Sequence, residues 1–164
     1  AEIMTGILKE KGYEFVEEFA EADIIIVNTC GFIRDAKQES IDTIVELSQL
    51  KEFGKLKYLI VTGCLAQRYA DELLEEIPEI DAIVGTGNFM NISEIIDRLE
   101  SEKNVTEIGN IEFAFDETLP RYVSTPEHMA YLKIGEGCSN HCTYCIIPKL
   151  RGKYRSRKIE DIVE

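Results

Sequence analysis

Residues 24–31 read Ile24-Ile25-Ile26-Val27-Asn28-Thr29-Cys30-Gly31, and residues 58–65 follow the same plan with Tyr58-Leu59-Ile60-Val61-Thr62-Gly63-Cys64-Leu65. Each is a short, nearly continuous apolar run that gives way to small polar residues and then a cysteine. A run of this length rich in β-branched residues is what a strand covered on both faces requires. Between the two lies a helical pattern from about Asp35 to Phe53, with Ile41, Ile44, Val45 and Leu47 on its apolar side and Gly54 as its stop. A second helix is predicted from about Ala66 to Ile77, where Pro78 ends it. A short strand at Ala82–Val84 follows. A third helix begins near Asn91, where Asn91 and Glu94 have capping-box spacing, and reaches about Glu102. Val105–Ile108 is a candidate fourth strand. Strands separated by helices of this length imply a parallel sheet with right-handed crossovers. The expectation is an α/β fold: an open, parallel-sheet, three-layer domain over residues 1–108.

The same pattern extends in both directions. Residues 1–12 read as a helix with Ile3, Met4, Ile7 and Leu8 on one stripe and Gly12 as its stop. A helix that opens without a cap, and a closing segment 158–164 that reads as an unfinished helix, lead to the expectation of a fragment with both ends missing. Residues 109–128, with Pro120, Pro126 and several acids but no clear period, read as a linker. Met129–Ile134 is then predicted as one more apolar strand, leading into a cysteine-rich loop. Residues 129–164 are expected to open a second domain.

The 164 residues carry a net charge of −13, which argues against a general nucleic-acid-binding surface and suits a basic partner or simple solubility. One stretch opposes the trend: Lys149, Arg151, Lys153, Arg155, Arg157 and Lys158 form a basic run, read as a solvated face or as a surface for an anionic cofactor or acidic neighbour. The longest apolar run is far short of the ~18 residues that cross a bilayer, and no secretory signal is visible. The expected setting is cytoplasmic, with no membrane partner.

There are five cysteines, Cys30, Cys64, Cys138, Cys142 and Cys145. An odd count, tight local spacing and no export signal favour metal binding over disulfides. In Gly137-Cys138-Ser139-Asn140-His141-Cys142-Thr143-Tyr144-Cys145 the spacing is Cys-x3-Cys-x2-Cys. Three thiolates on one loop hold three irons of a cubane and leave the fourth open to a small molecule, as an open zinc position does. The spacing also admits a zinc site or a closed structural cluster. Cys30 and Cys64 each fall just past the C-terminal end of a predicted strand, the edge where ligands gather in open α/β sheets. The plain alternative is a pair of core thiols.

The Cys138–Cys145 loop resembles the cluster loop of radical S-adenosylmethionine (SAM) enzymes, and Tyr144 matches the aromatic that usually lies beside the adenine of SAM, although a packing role fits it equally well. The resemblance implies a 4Fe-4S cluster on Cys138, Cys142 and Cys145 whose open iron is chelated by SAM, and reductive cleavage of SAM to a 5′-deoxyadenosyl radical. The segments around Cys30 and Cys64 are similar to the N-terminal domain of the methylthiotransferases, a subfamily of these enzymes. There Cys30 and Cys64 would be two of three ligands of a second 4Fe-4S cluster, the third lying upstream. Asn28–Ile33, Gly63–Tyr69, His128–Ile134 and Arg151–Arg157 are closest to the branch that modifies an aspartate β-carbon in small-subunit ribosomal protein twelve. The implied partners are that protein and an electron donor. A tRNA-modifying member of the same family is the alternative, and the only reading with a nucleic-acid partner. A non-enzymatic iron–sulfur or zinc module is the alternative from another class. The resemblance also implies that residues 129–164 begin a partial β/α barrel, and that these 164 residues alone do not turn over.

Three features carry less weight. Gly85-Thr86-Gly87 lacks the third glycine of a nucleotide fingerprint and reads as an ordinary strand-to-helix turn. His128 and His141 read as structural. Glu39 and Asp42 read as part of a solvated helix face.

Overall fold

The structure is a computed structural model that describes residues 1–113, 116 and 118–163. Three positions of the expected linker (114, 115 and 117) and residue 164 lie outside the described residues. The four apolar runs form one parallel sheet in the order β1 (Ile24–Thr29), β2 (Tyr58–Gly63), β3 (Ala82–Val84), β4 (Val105–Glu107). Spatial order equals chain order, so each strand pairs with the next, as Ile24↔Tyr58 through Thr29↔Gly63 shows for the first pair.

The sheet has a helical layer on each face. Helices α1 (Glu2–Glu10) and α6 (Ile92–Leu99) pack on one side. Helices α2 (Arg34–Ser48), α4 (Cys64–Arg68) and α5 (Ala70–Glu76) pack on the other, with α3 (Leu50–Phe53) continuing from α2. The period of two along each strand divides the core. Ile25, Val27, Leu59, Val61 and Ile83 enter the α2/α4 side, while Ile60, Ala82 and Val84 enter the α1/α6 side. Leu59, Ile60 and Val61 are fully buried, and each such side chain contributes about 1.5–3 kcal/mol of burial. The three-layer α/β architecture expected from the sequence is present.

Several details differ from expectation. The helix predicted over Asp35–Phe53 breaks at Gln49, and Val45, placed on its apolar side, is exposed. The helix predicted over Ala66–Ile77 starts two residues earlier, at Cys64, and breaks at Tyr69. Asn91 and Glu94 form no capping box, because a 3-10 turn at Phe89–Asn91 leads straight into α6 and no side-chain cap bond is made. The largest departure is Met129–Ile134, which is not a strand. The ladder begins one residue later, where β5 (Gly135–Glu136) pairs antiparallel with β6 (Arg155–Ser156). Met129, Tyr131, Leu132 and Ile134 are largely exposed. An apolar pattern makes a strand only where a neighbour supplies the ladder, and here the neighbouring backbone bond falls at the end of the run, from the Arg157 N–H to the Ile134 carbonyl at 3.0 Å. Between β5 and β6 lies α7 (Ile147–Arg151), and α8 (Ile159–Val163) follows β6.

Asp81, just before β3, accepts a hydrogen bond from the Leu59 N–H at 2.7 Å and an ion-paired one from Lys51 at 2.6 Å. It ties α3, β2 and β3 together where the central strand is dry. Asp81→Ala is expected to cost about 1–3 kcal/mol, since a largely buried donor loses its acceptor. Lys51→Ala is expected to cost less, about 1 kcal/mol or below. Urea denaturation of the variants checks the order, and equal losses would show that the backbone bond carries nothing extra.

Candidate cysteine centre at the sheet edge

The register Thr29↔Gly63 sets the C-terminal ends of β1 and β2 level, so Cys30 and Cys64 each stand one residue past the same rung. Two glycines allow the loops to meet there. A Cβ on Gly31 would lie 2.8 Å from both the carbonyl carbon and the oxygen of Cys64, so the first loop rests directly on the peptide of the second. Gly63 has φ +103, a conformation that side chains rarely adopt, and a Cβ there would collide with the Thr29 carbonyl. The Thr29 hydroxyl donates to the Thr62 carbonyl at 2.6 Å, and the Cys30 N–H donates to Ser40 Oγ at 3.3 Å. The two thiols differ in setting: Cys30 is exposed and Cys64 is buried.

The other three cysteines occupy the loop between β5 and α7. Gly137, at φ +75, turns the chain with its Cα packed on the carbonyls of Gly152 and Lys153. The Cys138 N–H donates to the Gly152 carbonyl at 3.0 Å, and the Cys145 N–H to the Cys142 carbonyl at 3.1 Å. Cys142 is exposed, Cys138 and Cys145 are half-buried, and all five thiols of the chain are free. Tyr144 is 90% exposed. His141 is exposed. Among the described residues no three His, Cys, Asp or Glu side chains stand as a preformed metal-holding group. As a donor set, the loop nevertheless suits a soft-metal cluster: three free thiols lie within eight residues of one backbone turn, with no competing disulfide. Cys30 and Cys64 supply only two thiols.

Three consecutive residues seat this loop on the sheet edge. The Leu150 carbonyl accepts a buried hydrogen bond from the Thr86 hydroxyl at 2.9 Å, and the Leu150 side chain is itself buried. Arg151 reaches across to Cys64, its Nε–H donating to Sγ at 3.2 Å, while Nη1 pairs with Glu136 at 3.2 Å. The Gly152 carbonyl holds Cys138, as above. Glu136, buried just before the loop, is also paired with Lys133. Burial opposes its ionisation, but the Lys133 hydrogen bond and the charges of Arg151 and Lys133 outweigh this and hold its pKa below the usual glutamate range. Burial likewise works against the charge on Arg151, and the Cys64 sulfur and the Glu136 carboxylate more than offset it, leaving its pKa raised. A cavity of about 390 Å³ opens beside this junction, lined by Asn28, Thr62 and Thr86 from the strand ends and by Lys133 and Arg151 from the docked segment.

Reading the sequence missed this junction. Gly85-Thr86-Gly87 reads as an ordinary turn, yet Thr86 also bonds Gln67 through its N–H at 2.9 Å and anchors Leu150. The basic run divides by residue type. Lys149, Lys153 and Lys158 are exposed, whereas Arg151, Arg155 and Arg157 are half-buried. Arg155 donates to the carbonyls of Ile111, Arg151 and Lys153, and Arg157 to those of Lys133 and Asp161. The planar guanidinium fork suits such multi-point tethering, which an ammonium does not. Glu39 and Asp42 are exposed, as expected of a solvated face.

Residues 1–85 match the family described as Uncharacterized protein family UPF0004, and the chain belongs to that family. Along its whole length it is 67% identical to the ribosomal protein uS12 methylthiotransferase RimO of Clostridioides difficile strain 630. It is 56% identical over 99% of its length to the protein of the same name from Thermoanaerobacter sp. strain X514, and 54% identical, again over 99%, to that of Geobacter sulfurreducens. The chain spans about 37% of the length of each of these relatives. Their names agree with the methylthiotransferase resemblance read from the cysteine motifs. No helix among the described residues is long and apolar enough to cross a membrane.

Gly63 and Gly12 both have positive φ, but a Cβ at Gly12 would meet open space. Gly12→Ala is therefore expected to cost only the backbone strain, about 1–3 kcal/mol. Gly63→Ala adds the collision with Thr29 and is expected to cost clearly more. Chemical denaturation of the two variants provides the comparison, and equal costs would mean that the close approach of the two cysteine loops is not tight.

Proposed function

We propose that the chain is the cysteine-bearing portion of a cytoplasmic radical SAM methylthiotransferase that acts on an aspartate of small-subunit ribosomal protein uS12. The observation that carries this reading is the common mounting of both cysteine groups on one sheet edge. Cys30 and Cys64 stand past the paired ends of β1 and β2, and the Cys138–Cys145 loop is held to that edge through Leu150, Arg151 and Gly152. The matched relatives carry the same activity in their names.

In this reading Cys138, Cys142 and Cys145 hold one 4Fe-4S cluster, and Cys30 and Cys64, with a third ligand, hold a second. Bound there, the first would supply an electron for cleavage of SAM, and the second would supply a site for the sulfur to be transferred. The chain's own residues set the stage. Tyr144 offers its exposed ring to the adenine of SAM. Gly31 and Gly63 let the two strand-end loops approach. The half-buried arginines of the basic run fix the segment that carries the loop. An electron donor would be a further partner, and a net charge of −13 favours encounter with a basic ribosomal protein. Residues 1–108 form the N-terminal domain, 109–128 the linker and 129–164 the beginning of the SAM-cleaving barrel.

Anaerobic reconstitution with iron and sulfide, followed by reduction and electron paramagnetic resonance, tests the assignment. The chain is expected to take up a 4Fe-4S cluster that is lost in Cys138→Ala, Cys142→Ala and Cys145→Ala and retained in Cys30→Ala. In a protein of the relatives' full length carrying these residues, SAM is expected to change the signal, and uS12 is expected to gain one methylthio group by mass spectrometry. Zinc in place of iron would overturn the radical reading, and modification of tRNA in place of uS12 would overturn the substrate.

A further inference from the structure

The cavity of about 390 Å³ beside the docked segment is a pocket of positive charge in an acidic chain. Three side-chain cations border it, Arg121, Lys133 and Arg151, and two carboxylates answer them. Glu2 pairs with Arg121. A single oxygen of Glu136 takes both Lys133 and Arg151, so one positive charge is left over. Donors are left over as well. Glu136 occupies only one N–H of the Lys133 ammonium, while Arg151 Nη2 and the Asn28 side-chain amide bond none of the described residues. Asn28 is near the C-terminal end of β1, the edge where ligands gather in open parallel sheets. Spare charge and spare donors converging on one hollow suit a small anionic group, and a carboxylate above all.

Resting on the reading that the substrate is an aspartate of uS12, we propose that this cavity seats the carboxylate of that aspartate, with Lys133 as the specificity-determining residue and Asn28 and Arg151 Nη2 as supporting donors. The carboxylate carbon of aspartate is bonded directly to the β-carbon, so holding the first fixes the second one bond away. Arg151 lies against Cys64 through Nε, so an aspartate held here brings its β-carbon to the edge that carries the strand-end thiols. Asparagine in its place brings no charge and turns an NH2 group toward the same donors, which selects against it.

The test measures binding of uS12 to a protein of the relatives' full length by fluorescence anisotropy at constant salt. It compares native uS12 with uS12 in which the target aspartate is replaced by asparagine. The parent is expected to bind the aspartate form about tenfold or more tightly. Lys133→Gln is expected to bring the two forms together by weakening only the aspartate form, and Lys133→Arg to restore part of the preference. Lys149→Gln changes an exposed lysine outside the cavity and is expected to leave the preference in place. If Lys133→Gln does not fold, Asn28→Ala, which breaks no described side-chain hydrogen bond, decides: a reduced preference supports the proposal and an unchanged one overturns it. Equal binding of the two forms by the parent, an undiminished preference in folded Lys133→Gln, or an equal loss for both forms overturns the proposal while leaving uS12 as the substrate. Failure of the parent to bind uS12 at all overturns the substrate reading itself, and the role of the cavity with it.

Discussion

The central constraint on this molecule is that β2 is dry on both faces. Leu59, Ile60 and Val61 are fully buried between two helical layers, so the strand's backbone groups have no water and must be satisfied by the strands on either side. That demand fixes the register with β1 and β3, and a one-residue slip would send every side chain to the wrong layer. Because the register is fixed, Thr29 and Gly63 end level, and the cysteines that follow them are neighbours by construction. Placement of two thiols at one edge is therefore a consequence of core packing and needs no separate device. Only the last step, bringing the loops into contact, depends on special residues, and these are Gly31 and Gly63.

Much of this frame was legible in the sequence because it is written in local patterns. The apolar runs of β1, β2 and β3 and the glycine after α1 each signal themselves over a few residues. What was not legible depends on partners distant in the chain. Met129–Ile134 has the composition of a strand, but a strand is a relation between segments, and among the described residues no ladder runs along it, the Arg157 bond reaching only the Ile134 carbonyl at its end. Val45 fits a helical stripe by position, yet the stripe that meets the sheet is narrower than the apolar residues on it. Asn91 and Glu94 have capping spacing, but the chain enters α6 from a 3-10 turn and leaves no free cap to fill.

The candidate site divides along the same line. Cysteine spacing reveals which residues bear chemistry, since thiols are rare and their separation limits what they can hold. It does not reveal how two groups more than seventy residues apart are related, because that depends on Thr86, Leu150 and Arg151, none of which has an unusual local signature. Arg151 sits in a basic run that reads most simply as surface. The one residue-type cue was the alternation of lysine with arginine: the lysines stay in water, and the arginines turn inward to carbonyls, a carboxylate and a sulfur.

Charge explains why this junction is stable in a chain that is acidic overall. Glu136 is buried, and a buried carboxylate is costly unless paired. It has two cations, Lys133 and Arg151, and Arg151 in turn has a second electron-rich partner in Cys64. Removing Glu136 would leave Arg151 half-buried with only the sulfur to compensate it, and removing Arg151 would leave Cys64 without a donor. The three groups therefore support one another, with Lys133 as a second cation for Glu136. This arrangement seats the three-cysteine loop on the sheet edge through the last residues of α7, Leu150 and Arg151.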